Sequence, residues 1–169
     1  FWNYLKNISQ NNFESNVKIS FYLPVIFLII LILQISLGAF VSGLHAGQIY
    51  QSWPLMNQNY FPDDSMFSDL FSLKVFETPS LAQFIHRNVA YLMLLFFLLI
   101  LFIVFKNDEL SYLRKSAILV FLFLLLQLFL GILTIIFGAQ IFFASMHQLG
   151  SIVLLTATLI LVFKNSRIN

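Results

Sequence analysis

Gln34-Ile-Ser-Leu-Gly38 and Gln127-Leu-Phe-Leu-Gly131 repeat one pattern, Gln-x-x-Leu-Gly, inside two separate apolar runs. Each is followed by a histidine a few residues inside a further apolar run. After the first copy comes Ile85-His86-Arg87, and after the second Met146-His147-Gln148. A second glycine trails each copy, Gly43 and Gly138. The chain therefore reads as a helical hairpin written twice. Both hairpins enter from the same side, so the copies are parallel repeats related by an axis along the membrane normal.

A membrane is required by the composition. Of the 169 residues, 60% are hydrophobic, 9% are charged and 21 are phenylalanine, whereas a soluble domain carries about 25% charged residues. So few charges cannot build a water-facing surface. Four runs are long enough to cross about 30 Å of hydrocarbon, which takes roughly 20 apolar residues. They fall near residues 20–41, 81–105, 117–137 and 142–163. The expected fold is an all-α integral membrane protein, a four-transmembrane-helix bundle of two parallel helical-hairpin repeats. Residues 1–19 and 164–169 flank the membrane domain, 20–163, and residues 42–80 form one long outward loop. The first run is too long for a signal peptide and lacks a small-residue cleavage site.

Lysine and arginine set the orientation. Lys6 and Lys18, then Lys106, Arg114 and Lys115, then Lys164 and Arg167 fall on one side. The other side collects Asp63, Asp64, Asp69, Glu77 and Lys74, with Arg87 just inside the second span. Both termini are thus expected on the cytoplasmic or matrix side. The net charge of +2 follows from this topology and gives no reason to expect nucleic-acid binding. The absence of cysteine excludes disulfides, thiolate ligation, iron–sulfur clusters and thiol chemistry.

The loops between the paired spans differ sharply. The second is a few residues around Gly138-Ala139-Gln140. The first carries Tyr50, Trp53, Tyr60, Phe61, Phe67, Phe71 and Phe76, and Trp and Tyr favour the membrane–water interface. It is expected to form a cap with short helices over the outer end of the bundle. Thr78-Pro79 reads as an N-cap and first-turn proline opening the second span.

Intramembrane histidines are costly and usually functional. His86 and His147 each lie about 10 Å inside their helices at 1.5 Å per residue. Two imidazoles at equal depth on a pseudo-twofold axis suit the two axial positions of a haem iron. Zinc is less well served, because it prefers four ligands. The structural alternative is an imidazole bonded to a neighbouring helix. Arg87 is a candidate for pairing with a haem propionate, or for snorkelling to the interface. Gln83 and Gln148 are candidates for orienting hydrogen bonds. Gly38 and Gly131 would let helices approach closely or leave room for a flat macrocycle. Gln34 and Gln127 are read as interhelical bonds. His45, between Gly43 and Gly47, is read as an interfacial polar contact, and the loop acids as solvated charges.

Several segments together resemble the haem A synthase family in its cysteine-less alphaproteobacterial and mitochondrial form. They are Leu37-Gly38-Ala39-Phe40-Val41-Ser42-Gly43-Leu44-x-Ala46-Gly47, Tyr50-x-x-Trp53-Pro54-x-Met56, Gln83-Phe84-x-His86-Arg87-x-x-Ala90-Tyr91, Leu130-Gly131-Ile132-Leu133-Thr134 and His147-Gln148-x-Gly150-Ser151. The chain departs from that pattern at His45, where an aspartate is usual. The resemblance implies an eight-helix protein of two four-helix halves, of which this chain, beginning at Phe1, is the C-terminal one. It implies haem b between His86 and His147, with Arg87, Gln83, Gln148, Gly38 and Gly131 around it. It also implies that the methyl group of haem O is oxidised to the formyl group of haem A with water-derived oxygen. The catalytic residues are then expected in the N-terminal half, and this half alone is expected to transfer electrons and to be inactive.

The partners implied are that N-terminal half, haem O and the lipid bilayer of a bacterial plasma or mitochondrial inner membrane. The resemblance also leaves room for haem O synthase, cytochrome oxidase assembly factors and a second copy of the chain. The competing readings are a stand-alone b-type cytochrome and a membrane subunit with structural histidines. Against the cytochrome stands the single layer of histidines, where a transmembrane wire would need two.

Overall fold

The computed structural model describes residues 19, 20 and 22–166. Lys6, Lys18 and Arg167 of the charge argument lie outside them, as do most of the two flanking segments. Four long helices carry the fold: α1 (Tyr22–Gly43), α2 (Pro79–Lys106), α3 (Ser111–Ile136) and α4 (Ile141–Ser166). Each is long and apolar enough to cross a membrane. The chain is a multi-pass, all-α membrane protein.

The four spans overlap the four expected runs, with ends that differ by a few residues. The largest difference is α3, which begins at Ser111 rather than Ala117, because Tyr112 to Ser116 continue the helix beyond the apolar run. Length and charge mark where hydrocarbon ends, whereas backbone hydrogen bonding continues as long as polar side chains can face water. The entry to α3 is a 3-10 turn, Asp108–Leu110, where Asn107 accepts the Glu109 amide at 3.1 Å. Pro79 stands in the first turn of α2 as expected, but the Thr78 side chain makes no capping bond. Its carbonyl accepts the Ala82 amide at 3.0 Å instead.

The helices stand in a ring, α1–α2–α3–α4, with the most extensive contact inside each hairpin. The apolar core occupies the half nearer the α2–α3 connection. Phe27 and Leu31 of α1 meet Met93, Phe97, Ile100 and Val104 of α2, Ala117, Val120 and Leu124 of α3, and Leu154 and Leu161 of α4. The Phe27 and Phe97 rings pack at a tilt of 52°, with centroids 4.7 Å apart. At the same end, buried Asn165 accepts the Ile19 amide at 3.0 Å and donates to its carbonyl, tying the entering chain to α4. Toward the long loop, the core stops at Leu31, Met93, Leu124 and Leu154. The next layer holds Gln34, Gln127, His86 and His147.

The long loop caps the histidine end of the bundle through 3-10 turns at Ala46–Gln48, Phe67–Phe71 and Leu73–Phe76. It also reaches the α3–α4 turn. A Cβ on Gly47 would lie 3.1 Å from the Ala139 methyl, and one on Gly138 would lie 3.1 Å from the Gln51 amide. Gly138 itself has φ +62°, a left-handed conformation that glycine adopts without steric cost.

Candidate functional site

His86 and His147 come from diagonal helices and face each other across the bundle axis. Their ring centroids are 6.4 Å apart and the rings are nearly perpendicular, at 85°. Each ring rests on a glycine of its own hairpin. A Cβ on Gly38 would sit 3.2 Å from His86 Cε1, and a Cβ on Gly131 would sit 3.2 Å from His147 Cε1. The internal repeat is thus reproduced in three dimensions down to equal distances. The glycines' observed neighbours are the imidazoles themselves, which only a residue without a side chain admits so closely.

The two glutamines sit one turn further in on the same helices. Gln34 Nε2 donates to the His86 carbonyl at 2.9 Å and lies 3.4 Å from His86 Nε2, an interhelical bond of the kind expected from the sequence. Gln127 is buried, and its amide occupies the space where a Gly150 side chain would be. The Gln127 nitrogen has no partner, nor do Gln34 Oε1 and the Nδ1 atoms of both histidines. Buried polar atoms without partners are rare enough that each asks for an explanation.

Arg87 and Gln83 serve the loop. Gln83 Nε2 and Arg87 Nη2 both donate to the Tyr50 carbonyl at 3.1 Å, and Arg87 Nη1 donates to the Leu55 carbonyl at 3.4 Å. Arg87 is buried, so it does not snorkel to the interface, and its two terminal nitrogens are taken by loop carbonyls. Beside it, Trp53 Nε1 donates to Tyr91 Oη at 2.8 Å and Tyr60 bonds Asn88. Asn88 was not singled out from the sequence. The available signal was a polar face, Gln83, Arg87 and Asn88, at helical spacing in an otherwise apolar helix.

Gln148, the repeat counterpart of Arg87, is exposed. His45 is exposed, takes a left-handed conformation (φ 51°) and does not cap the turn that follows it. Of the loop acids, Asp69 accepts Lys74 Nζ at 2.9 Å and the Met66 amide at 3.0 Å. The Lys74 bond, with the amide behind it, holds its carboxyl below the usual carboxylate range.

The donor set fits a haem. Among the described residues no three histidine, cysteine or acidic side chains gather, so an ion needing four protein ligands is poorly served. A macrocycle that brings four nitrogens of its own needs only two more, on opposite faces. Two imidazoles with ring centroids 6.4 Å apart across the bundle axis, above the point where the apolar core ends, offer such a pair.

Residues 1–159 match the model of a family described as cytochrome oxidase assembly protein. Over 166 residues the chain is 43% identical to a haem A synthase of Pelagibacter ubique, covering 98% of this chain and 48% of that protein. It is 39% identical over 127 residues to one of Bartonella tribocorum, covering 75% of this chain and 36% of that protein. With one of Wolbachia pipientis it shares 32% over 159 residues, covering 94% and 43%. The chain thus spans half or less of the length of these curated relatives. No solved structure is significantly similar to it. The family match covers nearly the whole chain, repeat and histidine pair included, and the chain belongs to the cytochrome oxidase assembly protein family, that of the haem A synthases.

Proposed function

We propose that this chain is the C-terminal, haem-b-holding half of a haem A synthase. In this reading it transfers electrons for the oxidation of the haem O methyl group to the formyl group of haem A, a reaction hosted by the N-terminal half. The observation that carries the proposal is the facing pair His86 and His147, each seated on the equivalent glycine of its own hairpin. His86 and His147 would hold the iron from its two faces, and haem b when bound supplies a reversible one-electron couple. With both His86 and His147 committed to the group, the site would suit electron transfer.

The chain's own residues supply the setting. Gln34 ties α1 to α2 at the depth of the histidines. Arg87 and Gln83 hold the loop across the water side of His86. Lysine placement supports both termini on the cytoplasmic or matrix face of a bacterial plasma or mitochondrial inner membrane. The partners in this reading are the N-terminal half and haem O, with haem O synthase and oxidase assembly factors upstream and downstream.

The test is a reduced-minus-oxidised optical spectrum of the purified chain beside His86→Ala and His147→Ala. A low-spin b-type spectrum that both substitutions abolish is the expected result. A wild-type chain that retains no haem, or a spectrum that survives either substitution, overturns the proposal.

A further inference from the structure

At the end of the bundle where α2 passes to α3, two lysines lie one helical turn beyond the lining of an apolar groove. The groove, of about 220 Å³, runs between α3 and α4 and is lined by Leu119, Phe123, Val153, Thr156, Ala157 and Ile160, among others. Lys115 lies one turn before Leu119 on α3, and Lys164 one turn beyond Ile160 on α4. Antiparallel packing therefore brings both ammonium groups to the same end of the groove. Lys164 Nζ donates to Ser116 Oγ at 2.8 Å, which fixes it against the residue next to Lys115. Lys115 is close enough to act on it electrostatically. Two like charges held together at the edge of an apolar bundle repel each other, and a shared anion relieves the repulsion.

The neighbouring cations are occupied differently. Arg114 pairs with Asp108 at 2.7 Å and lies over the Phe105 ring, while Lys106 lies over the Phe102 ring. Within the groove the Thr156 hydroxyl is spent on the Ile152 carbonyl of its own helix, at 2.9 Å. What remains to meet a ligand there is hydrocarbon. From Ile160 to Ile152 it extends about 12 Å along the helix axis. The site is charged at the membrane surface and apolar below it, and a phosphate ester carrying a hydrocarbon chain has the same polarity in the same order.

We propose that Lys115, Lys164 and the α3–α4 groove form a binding site for an anionic phospholipid, its phosphate on the two lysines and one acyl chain along Leu119, Phe123, Val153, Thr156 and Ile160. Basic residues between helices at this level commonly take acidic headgroups. The two lysines lie at the opposite end of the bundle from the histidine pair, and the groove ends at Ile152, more than one helical turn short of His147 on α4.

Native mass spectrometry of the full chain, exposed to equimolar dioleoylphosphatidylglycerol and dioleoylphosphatidylcholine, tests this with identical acyl chains. The anionic lipid should be retained over the zwitterionic one by roughly thirtyfold, from two surface cations. The Lys115→Gln/Lys164→Gln double variant should bring the two lipids level, and Lys115→Arg/Lys164→Arg should keep the preference. Thr156→Phe, which fills the groove from an exposed position, should weaken retention with both lysines in place. Equal retention by the parent chain, a preference that survives the glutamine pair, displacement of the lipid by inorganic phosphate, or a Thr156→Phe variant that binds like the parent each overturns the proposal.

Discussion

Gly38 and Gly131 show how a single missing methyl group can define a site. A Cβ at either position would come within 3.2 Å of an imidazole carbon, closer than ordinary van der Waals contact, so the ring would have to yield. Gly43, at the end of α1, has nothing within 4 Å of a Cβ. Gly131→Ala is therefore expected to displace His147, broadening or diminishing the low-spin haem spectrum. Gly43→Ala should leave the spectrum unchanged and raise stability by about 0.5–1 kcal/mol, the usual difference between glycine and alanine in a helix. Spectra and thermal unfolding of the two variants, measured side by side, decide the matter; equal effects would mean that the glycine contact does not position the ring. At this scale the histidines and glycines were legible in the sequence, because the repeat marks equivalent positions. The task of Arg87 was not. Its partners are carbonyls of Tyr50 and Leu55, and every residue type carries a carbonyl.

Among the elements, the long loop is the one whose structure depends most on specific side chains. Its Tyr50–Tyr60 stretch is held to α2 by Gln83, Arg87, Asn88 and Tyr91. Arg87→Leu removes two of these bonds and leaves the Leu55 carbonyl without its charged donor. Hydrogen bonds to charged groups contribute about 1.5–3 kcal/mol, so the loop should open and proteolytic nicking within residues 51–66 should accelerate. Unchanged cleavage would show that the aromatic contacts suffice.

Further along, the half-buried Asp69 carboxylate organises residues 66–74. Its folded pKa lies below the ordinary value of 3.8. Its contribution is therefore complete above the unfolded value and is lost as the pH falls through the folded one. Amide protection at Met66 should fall in that acid range, and Asp69→Asn should abolish the pH dependence. The cap was expected from the loop's aromatics. Its attachment was not, because α2 reads as a continuous apolar span in which a polar stripe of three residues carries little weight.

The whole molecule has two tiers. The inner tier is a close-packed apolar core around Phe27, Phe97 and Leu161, and the outer tier is a layer of glutamine, histidine and glycine under the loop. Stability and ligation should therefore separate. Phe97→Ala, at a fully buried position, should cost about 3–5 kcal/mol and leave the haem spectrum of the folded fraction unaltered. Haem at a hundredfold excess over its dissociation constant should stabilise the parent chain by about 2.7 kcal/mol and the His86→Ala chain not at all. Thermal unfolding with and without haemin measures both; stabilisation of the His86→Ala chain would place the ligand elsewhere.

By itself the sequence determined the membrane class, the four spans, the doubled hairpin and the two histidines. These follow from hydrocarbon thickness and from residue identity at repeated intervals, which need no knowledge of what lies alongside. Only the tertiary structure decided that the imidazoles face each other at 6.4 Å and that Gly38 and Gly131 seat them. It also decided that Arg87 clamps a loop and that Lys115 and Lys164 share the end of one groove. Those facts depend on the order of helices around the ring and on their rotation. Both are set by the fit of many small contacts between helices, and no single segment of the chain encodes that fit.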